Sequence, residues 1–124
     1  MAATAALLPF ACEREALPIQ QPVALPDESP FDYPLALWDQ GVEGETLLMV
    51  RVDEVGNVDS TYVERSSGHA EFDSAAVRGA RELRFSPARR GDRPVALWSR
   101  LPVRFARDGG ANAQDPEPAP TGGS

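Results

Sequence analysis

An α+β fold, a three-stranded antiparallel sheet packed against two helices in the order α-β-β-α-β, is what this 124-residue sequence predicts. Three observations carry the prediction. Residues 45–53 and 95–105 alternate apolar and polar side chains with a period of two, the mark of strands with one buried face. Phe72, Ala75, Ala76, Gly79, Ala80 and Leu83 fall on one stripe of a helix. Gly56 and Asn57 sit between two extended runs, where a tight turn needs residues that accept positive φ cheaply.

Each element follows from local chemistry. A short helix over residues 34–40 starts with Pro34, whose missing N–H costs nothing in a first turn. In the first strand Thr46, Leu48, Val50 and Val52 share one face, while Glu45, Leu47, Met49, Arg51 and Asp53 make a second face that is itself rather apolar. The turn at Gly56 and Asn57 leads into a second strand over residues 58–65, giving a β-hairpin. Val58 and Val63 share a face only if that strand is bulged, so its register stays open. Ser66, Ser67 and Gly68 end it. The second helix has a stripe of small residues that lets it lie close to a sheet, with Phe72 and Leu83 anchoring its ends. Glu71 and Asp73 sit in its first turn, where the helix dipole favours acids, and Pro87 stops its continuation. Arg89, Arg90, Gly91 and Asp92 read as a loop. In the last strand Val95, Leu97, Ser99, Leu101, Val103 and Phe105 face one way, and Ala96, Trp98, Arg100, Pro102 and Arg104 the other. Pro102 offers no N–H to a ladder, which places this strand at a sheet edge.

Composition narrows the function classes. With 42% hydrophobic and 25% charged residues the chain is globular in kind. Its net charge of -7 and its lack of Lys argue against a nucleic-acid partner. One Cys and one His cannot build a disulfide framework or a Cys/His zinc site, so no metal or cofactor is expected. Residues 1–32 hold five acids against one Arg, residues 33–105 eleven against ten, and residues 106–124 three against one. The near-neutral middle, residues 33–106, is therefore the expected folded domain. Before it, Pro18, Pro22, Pro26, Pro30 and Pro34 recur every four residues, which predicts an extended acidic linker, a stalk rather than core. After it, residues 107–124 are rich in Gly and Pro and are expected to be disordered. Residues 1–11 are uncharged and largely apolar, like part of a signal peptide without its basic start. Cys12 then becomes a candidate lipid acceptor, with an inert thiol as the plainer reading. No stretch of these residues approaches the ~20 apolar residues of a membrane-spanning helix.

An ordered set of short motifs adds a resemblance. Tyr33-Pro34, Gly41-Val42-Glu43-Gly44, Val52-Asp53, Gly56, Ser66-Ser67-Gly68, Phe72-Asp73, Ala75-Ala76, Arg84-Phe85-Ser86-Pro87-Ala88, Gly91, Pro94-Val95 and Pro102-Val103-Arg104-Phe105 together resemble the TonB C-terminal domain family over residues 33–105. Each motif alone is weak; their order and spacing are specific, and the Pro-rich stretch before the domain matches the family's plan. The resemblance implies a periplasmic energy-transducing adaptor that supports transport across the outer membrane and is not an enzyme. Its partners would be TonB-dependent outer-membrane receptors, whose extended segment, the TonB box, pairs with the last strand by β-strand addition. A motor complex joins the expected partners only where an upstream membrane helix exists. Mapped onto this chain, the implied partner-binding residues are Val95, Ala96, Leu97, Trp98, Ser99, Arg100, Leu101, Val103 and Arg104. The alternative is a free-standing exported or lipid-anchored domain that uses the same edge to bind another envelope protein or to form a homodimer.

Plainer roles compete for the singled-out side chains. Trp98 serves equally as an aromatic contact for a docked peptide or as a ring lying over its neighbours. Exposed Arg100 and Arg104 more often solubilise a strand than recognise a ligand. Tyr33 and Pro34 read as the chain's docking point on the domain. Ser66, Ser67 and His69 show no nucleophile elbow, and Glu71 and Asp73 read as exposed first-turn charges, so no catalytic residues are expected.

Overall fold

The computed structural model describes residues 18–25 and 29–119; the signal-like segment and Cys12 lie outside them. In chain order the elements are β1 (Ile19–Gln20), β2 (Val23–Ala24), α1 (Leu35–Asp39), β3 (Gly44–Val52), β4 (Val58–Arg65) and α2 (Ala70–Ala80), followed by β5 (Phe85–Ser86), β6 (Ala88–Arg90), β7 (Arg93–Val95), β8 (Leu97–Ala106), β9 (Gly110–Ala113) and β10 (Glu117–Pro118). The expected α-β-β-α-β frame is α1, β3, β4, α2 and β8. Around it the structure adds strands, so the three-stranded sheet becomes the centre of a larger one, in the order β10-β8-β3-β4 with β9 also paired to β8.

The hairpin forms as its turn residues dictate. Gly56 takes φ +93°, and a Cβ there would lie 1.9 Å from the Phe85 carbonyl oxygen, so both the turn and the close approach of β5 require glycine. The Asp53 carboxylate accepts hydrogen bonds from the N–H groups of Val55 and Asn57, which fixes the turn from its own first residue. β4 pairs with β3 through two register shifts, which set Val58 opposite Val52 and Val63 opposite Leu48. The shift between Arg51 and Val52 brings both valines to the core face and settles the register that the sequence left open.

The core lies between the sheet and α2. Leu48, Val50, Val52, Leu101, Val103 and Phe105 come from the sheet, and Phe72, Ala75, Ala76 and Ala80 from the helix. Phe72 stacks on Phe105 with ring centroids 4.4 Å apart, and Tyr33 meets both rings edge-on. Burial of each such ring or branched chain is worth about 1.5–3 kcal/mol. Leu47 and Met49, on the second face of β3, are also buried at 9% and 6% exposure. Pro102 flanks Leu47 in the register, and Tyr62 and Arg100 flank Met49, so that apolar face is covered by neighbouring long side chains.

Several expectations are corrected. The Pro-rich segment is not a free stalk over its described residues: β1 pairs with β6, β2 pairs with β5, and Phe31 is a core residue. Alternation could not reveal this, because two-residue pairings carry too little pattern. The stretch 89–92 is a hairpin, with Gly91 and Asp92 as the two-residue turn between β6 and β7. α2 ends at Ala80, one turn earlier than the stripe suggested, and Leu83 packs against the core from just beyond it. Residues 107–119 of the expected disordered tail include β9 and β10. β8 is consequently flanked on both sides rather than lying at an edge.

Candidate functional site

β8 is the longest strand, ten residues, and its register with β3 is unbroken from Leu97 to Phe105. Along such a strand, side chains alternate between the two faces while backbone polar groups alternate between the two neighbours. The Pro102 carbonyl accepts the Gln114 N–H at 2.8 Å. The backbone groups of Pro102, and by alternation those of Trp98, Arg100 and Arg104, therefore point away from β3. Pro102 lacks its donor on that same side. Pro102 does not mark a sheet edge: its missing donor falls on the side that the C-terminal segment covers and costs the ladder with β3 nothing.

The residues named from sequence divide by that alternation. Ser99, Leu101 and Val103 are fully buried and point into the core. Val95 lies in β7 opposite Ala88, and Ala96 separates β7 from β8. Leu97 is partly buried at the start of β8. Trp98, Arg100 and Arg104 carry their side chains on the outer face. Trp98 is 36% exposed and its ring centroid lies 5.7 Å from that of Tyr62, itself 53% exposed on β4. Arg100 bridges to Glu64 with an N–O separation of 3.2 Å, and Arg104 is exposed. Outer-face side chains and outward backbone groups thus come from the same residues, the arrangement that strand addition needs.

The tail side carries only short pairings. β9 pairs with Val103–Ala106 and β10 with Ser99 and Arg100, so the two brackets leave Leu101 and Pro102 between them. Ala111 is the buried residue of β9, and its carbonyl accepts the Ser29 hydroxyl at 2.6 Å. Where the strap before the domain meets this tail, a groove of about 430 Å³ opens beside Phe31, Leu83 and Asn112.

Two further clusters differ in kind. Asp73 is no exposed first-turn charge: its carboxylate accepts from the hydroxyls of Ser66, Thr46 (2.8 Å) and Ser67 (2.9 Å) and from the Ser67 N–H (2.9 Å). Burial alone would raise its pKa, but those four hydrogen bonds together hold it below the ordinary carboxylate value. The cluster ties β3, the loop after β4 and α2 together. The run Ser66-Ser67-Gly68 signalled a stop in the sequence, and only the fold shows what the hydroxyls hold. His69 precedes α2 with its ring edge-on to Phe72 at 5.6 Å, and the hydroxyls of Ser66 and Ser67 serve Asp73 rather than the imidazole. Tyr33 donates its hydroxyl hydrogen to the Val42 carbonyl. Burial first, and Glu43 second, raise its pKa against the opposing pull of Arg107. Among the described residues no group of three or more His, Cys, Asp or Glu is placed to hold a metal ion.

By fold and site, the molecule is a small two-layer α+β domain organised around a long strand, β8, that is paired on both sides. The sequence of the family described as Gram-negative bacterial TonB protein C-terminal matches residues 29–106, and the chain belongs to that family. Protein TonB of Xanthomonas campestris pv. campestris is 40% identical over 78 residues, covering 63% of this chain and 35% of that protein. Protein tonB2 of Pseudomonas aeruginosa is 36% identical over 74 residues, 60% of this chain and 27% of its own length. Protein TonB of Vibrio cholerae is 30% identical over 77 residues, 62% and 32% of the two chains. The chain therefore spans about a third of the curated relatives it matches. The matched region begins at Ser29, before Tyr33, and so takes in the core residue Phe31.

Proposed function

We propose that this chain is the receptor-docking part of a TonB-type energy-transducing adaptor of the cell envelope, acting in the periplasm and not as an enzyme. It binds the extended TonB box of outer-membrane TonB-dependent receptors by adding that segment as a strand along β8. Main-chain hydrogen bonds from the outward groups of Arg100 and Arg104 supply affinity, and Trp98 and the two arginines read the side chains of the added strand. The observation that carries this reading is the orientation of Pro102. Its carbonyl points away from β3, so a row of β8 backbone groups is directed at a side met by the short pairings of β9 and β10.

An NMR titration of the full chain with a synthetic TonB-box peptide from an outer-membrane receptor tests it. The expected outcome is amide shifts concentrated on residues 97–106 together with residues 110–118. A folded domain whose amides do not move at millimolar peptide would mean that the edge serves another partner.

A further inference from the structure

We infer that the chain's own C-terminal segment, residues 110–118, is a resident strand in the docking edge of β8, and that an external strand binds only by displacing it. The inference rests on the docking role proposed for β8 and adds its regulation.

A ten-residue strand with a bare side is a template for unwanted pairing. Here the chain itself supplies the cover. Arg107 to Gly110 reverse direction, with Gly110 at φ +76°, and β9 runs antiparallel to β8 with Asn112 opposite Arg104 and Ala113 opposite Val103. Gln114 then donates to Pro102, and β10 brings Glu117 opposite Arg100 in the register, while the Arg100 guanidinium bridges to Glu64. The segment thus lies on the same backbone groups that an added strand would use.

The cover is built to be weak. β9 and β10 are only four and two residues long, and between the pairs Val103–Ala113 and Arg100–Glu117 the tail advances four residues against three of β8, so the pairing is interrupted. Ala111 is the buried side chain of β9, and its replacement by another small residue of an incoming strand would lose little apolar contact. The Ser29 hydroxyl on the Ala111 carbonyl adds one latch from the strap. Gly109 and Gly110 supply a hinge with no packing around them: a Cβ at either position would meet nothing within 4 Å. A segment paired without that interruption has a more continuous ladder to offer the edge than the tail does.

The test compares the full chain, a variant stopped after Asp108, and the full-length Gln114→Pro variant, which loses the donor to Pro102 but keeps the rest of the tail. Each is shown to be folded by its melting transition and titrated with the same synthetic TonB-box peptide. An edge free in about a tenth of molecules binds about tenfold more weakly than one always free. We therefore expect the truncated chain to bind about tenfold tighter than the full chain, and Gln114→Pro to fall between. In the full chain, peptide at saturation should also remove hydrogen-exchange protection from the amides of Asn112 and Gln114, which face β8. Equal dissociation constants in all three chains would overturn the resident-strand inference and leave docking intact. Peptide binding to none of them, with the domains folded, would overturn both. If the truncated chain does not fold, Gln114→Pro decides alone, and an unchanged affinity in it is the overturning result.

Discussion

At Gly79 a single missing methyl group governs how the chain before the domain is held. A Cβ there would sit 2.3 Å from the Phe31 ring, which covers this part of α2 as a core residue. Alanine normally improves a helix interior over glycine by about 1 kcal/mol. Gly79→Ala should instead destabilise the domain, and should revert to stabilising in a Phe31→Ala background; a double-mutant cycle by urea unfolding reads the sign change. Gly56 is the stricter case, since both its positive φ and the Phe85 carbonyl at 1.9 Å oppose a side chain. Gly56→Ala should cost at least about 2 kcal/mol in the same measurement. Asp73 gives the pH dependence. Its folded pKa lies below the ordinary value, so its stabilisation is present above that value and is lost as pH falls through the folded one. The melting-temperature advantage of the native chain over Asp73→Asn should therefore be full near neutrality and shrink under acid. An advantage that did not change with pH would show that the charged carboxylate is not what its four partners recognise.

At the scale of elements, the alternation of β8 separates two kinds of damage. The Val103 N–H points toward β3 and the Arg104 N–H away from it, by the same alternation that Pro102 fixes. Val103→Pro removes a donor from the central ladder and should abolish cooperative folding. Arg104→Pro removes one only from the outward side and should leave the domain folded while losing receptor-peptide binding, as read by thermal melting beside an NMR titration. Equal loss of fold in both variants would show that the outward row is structural. The short helix α1 has a different task. Trp38 meets Tyr33 edge-on and receives the Arg107 guanidinium over its ring at 4.7 Å, so this five-residue element joins the start of the domain to the point where the tail departs.

Over the whole molecule, a small domain with one core has little stability to spare. Phe31 lies outside the stretch that alternation and helical periodicity delimit, yet it belongs to the same core as Phe72 and Phe105. Phe31→Ala should cost about 3 kcal/mol and lower the melting temperature by about 10 °C or more. A melt unchanged by that substitution would return the strap to the status of a linker. The central elements were legible in the sequence because nine or ten residues of strand, and a helix of three turns, carry enough repeats for a period to emerge. The strap, the β6–β7 hairpin and the tail were not legible, since two to four residues carry no period and their pairing depends on distant partners. Asp73 was misread for a related reason: its helical position is local, but Thr46 comes from β3, 27 positions earlier.

The central hairpin, the helix face that covers it, the buried face of the last strand and the family to which the domain belongs can all be read from the chain alone, because each is written in local periodicity or in motif order. Tertiary structure alone decided what occupies the other side of β8, where Phe31 packs and which hydroxyls hold Asp73. Those outcomes depend on contacts between segments far apart in the chain, and neither a side-chain period nor a turn residue specifies which distant backbone will fill an open edge.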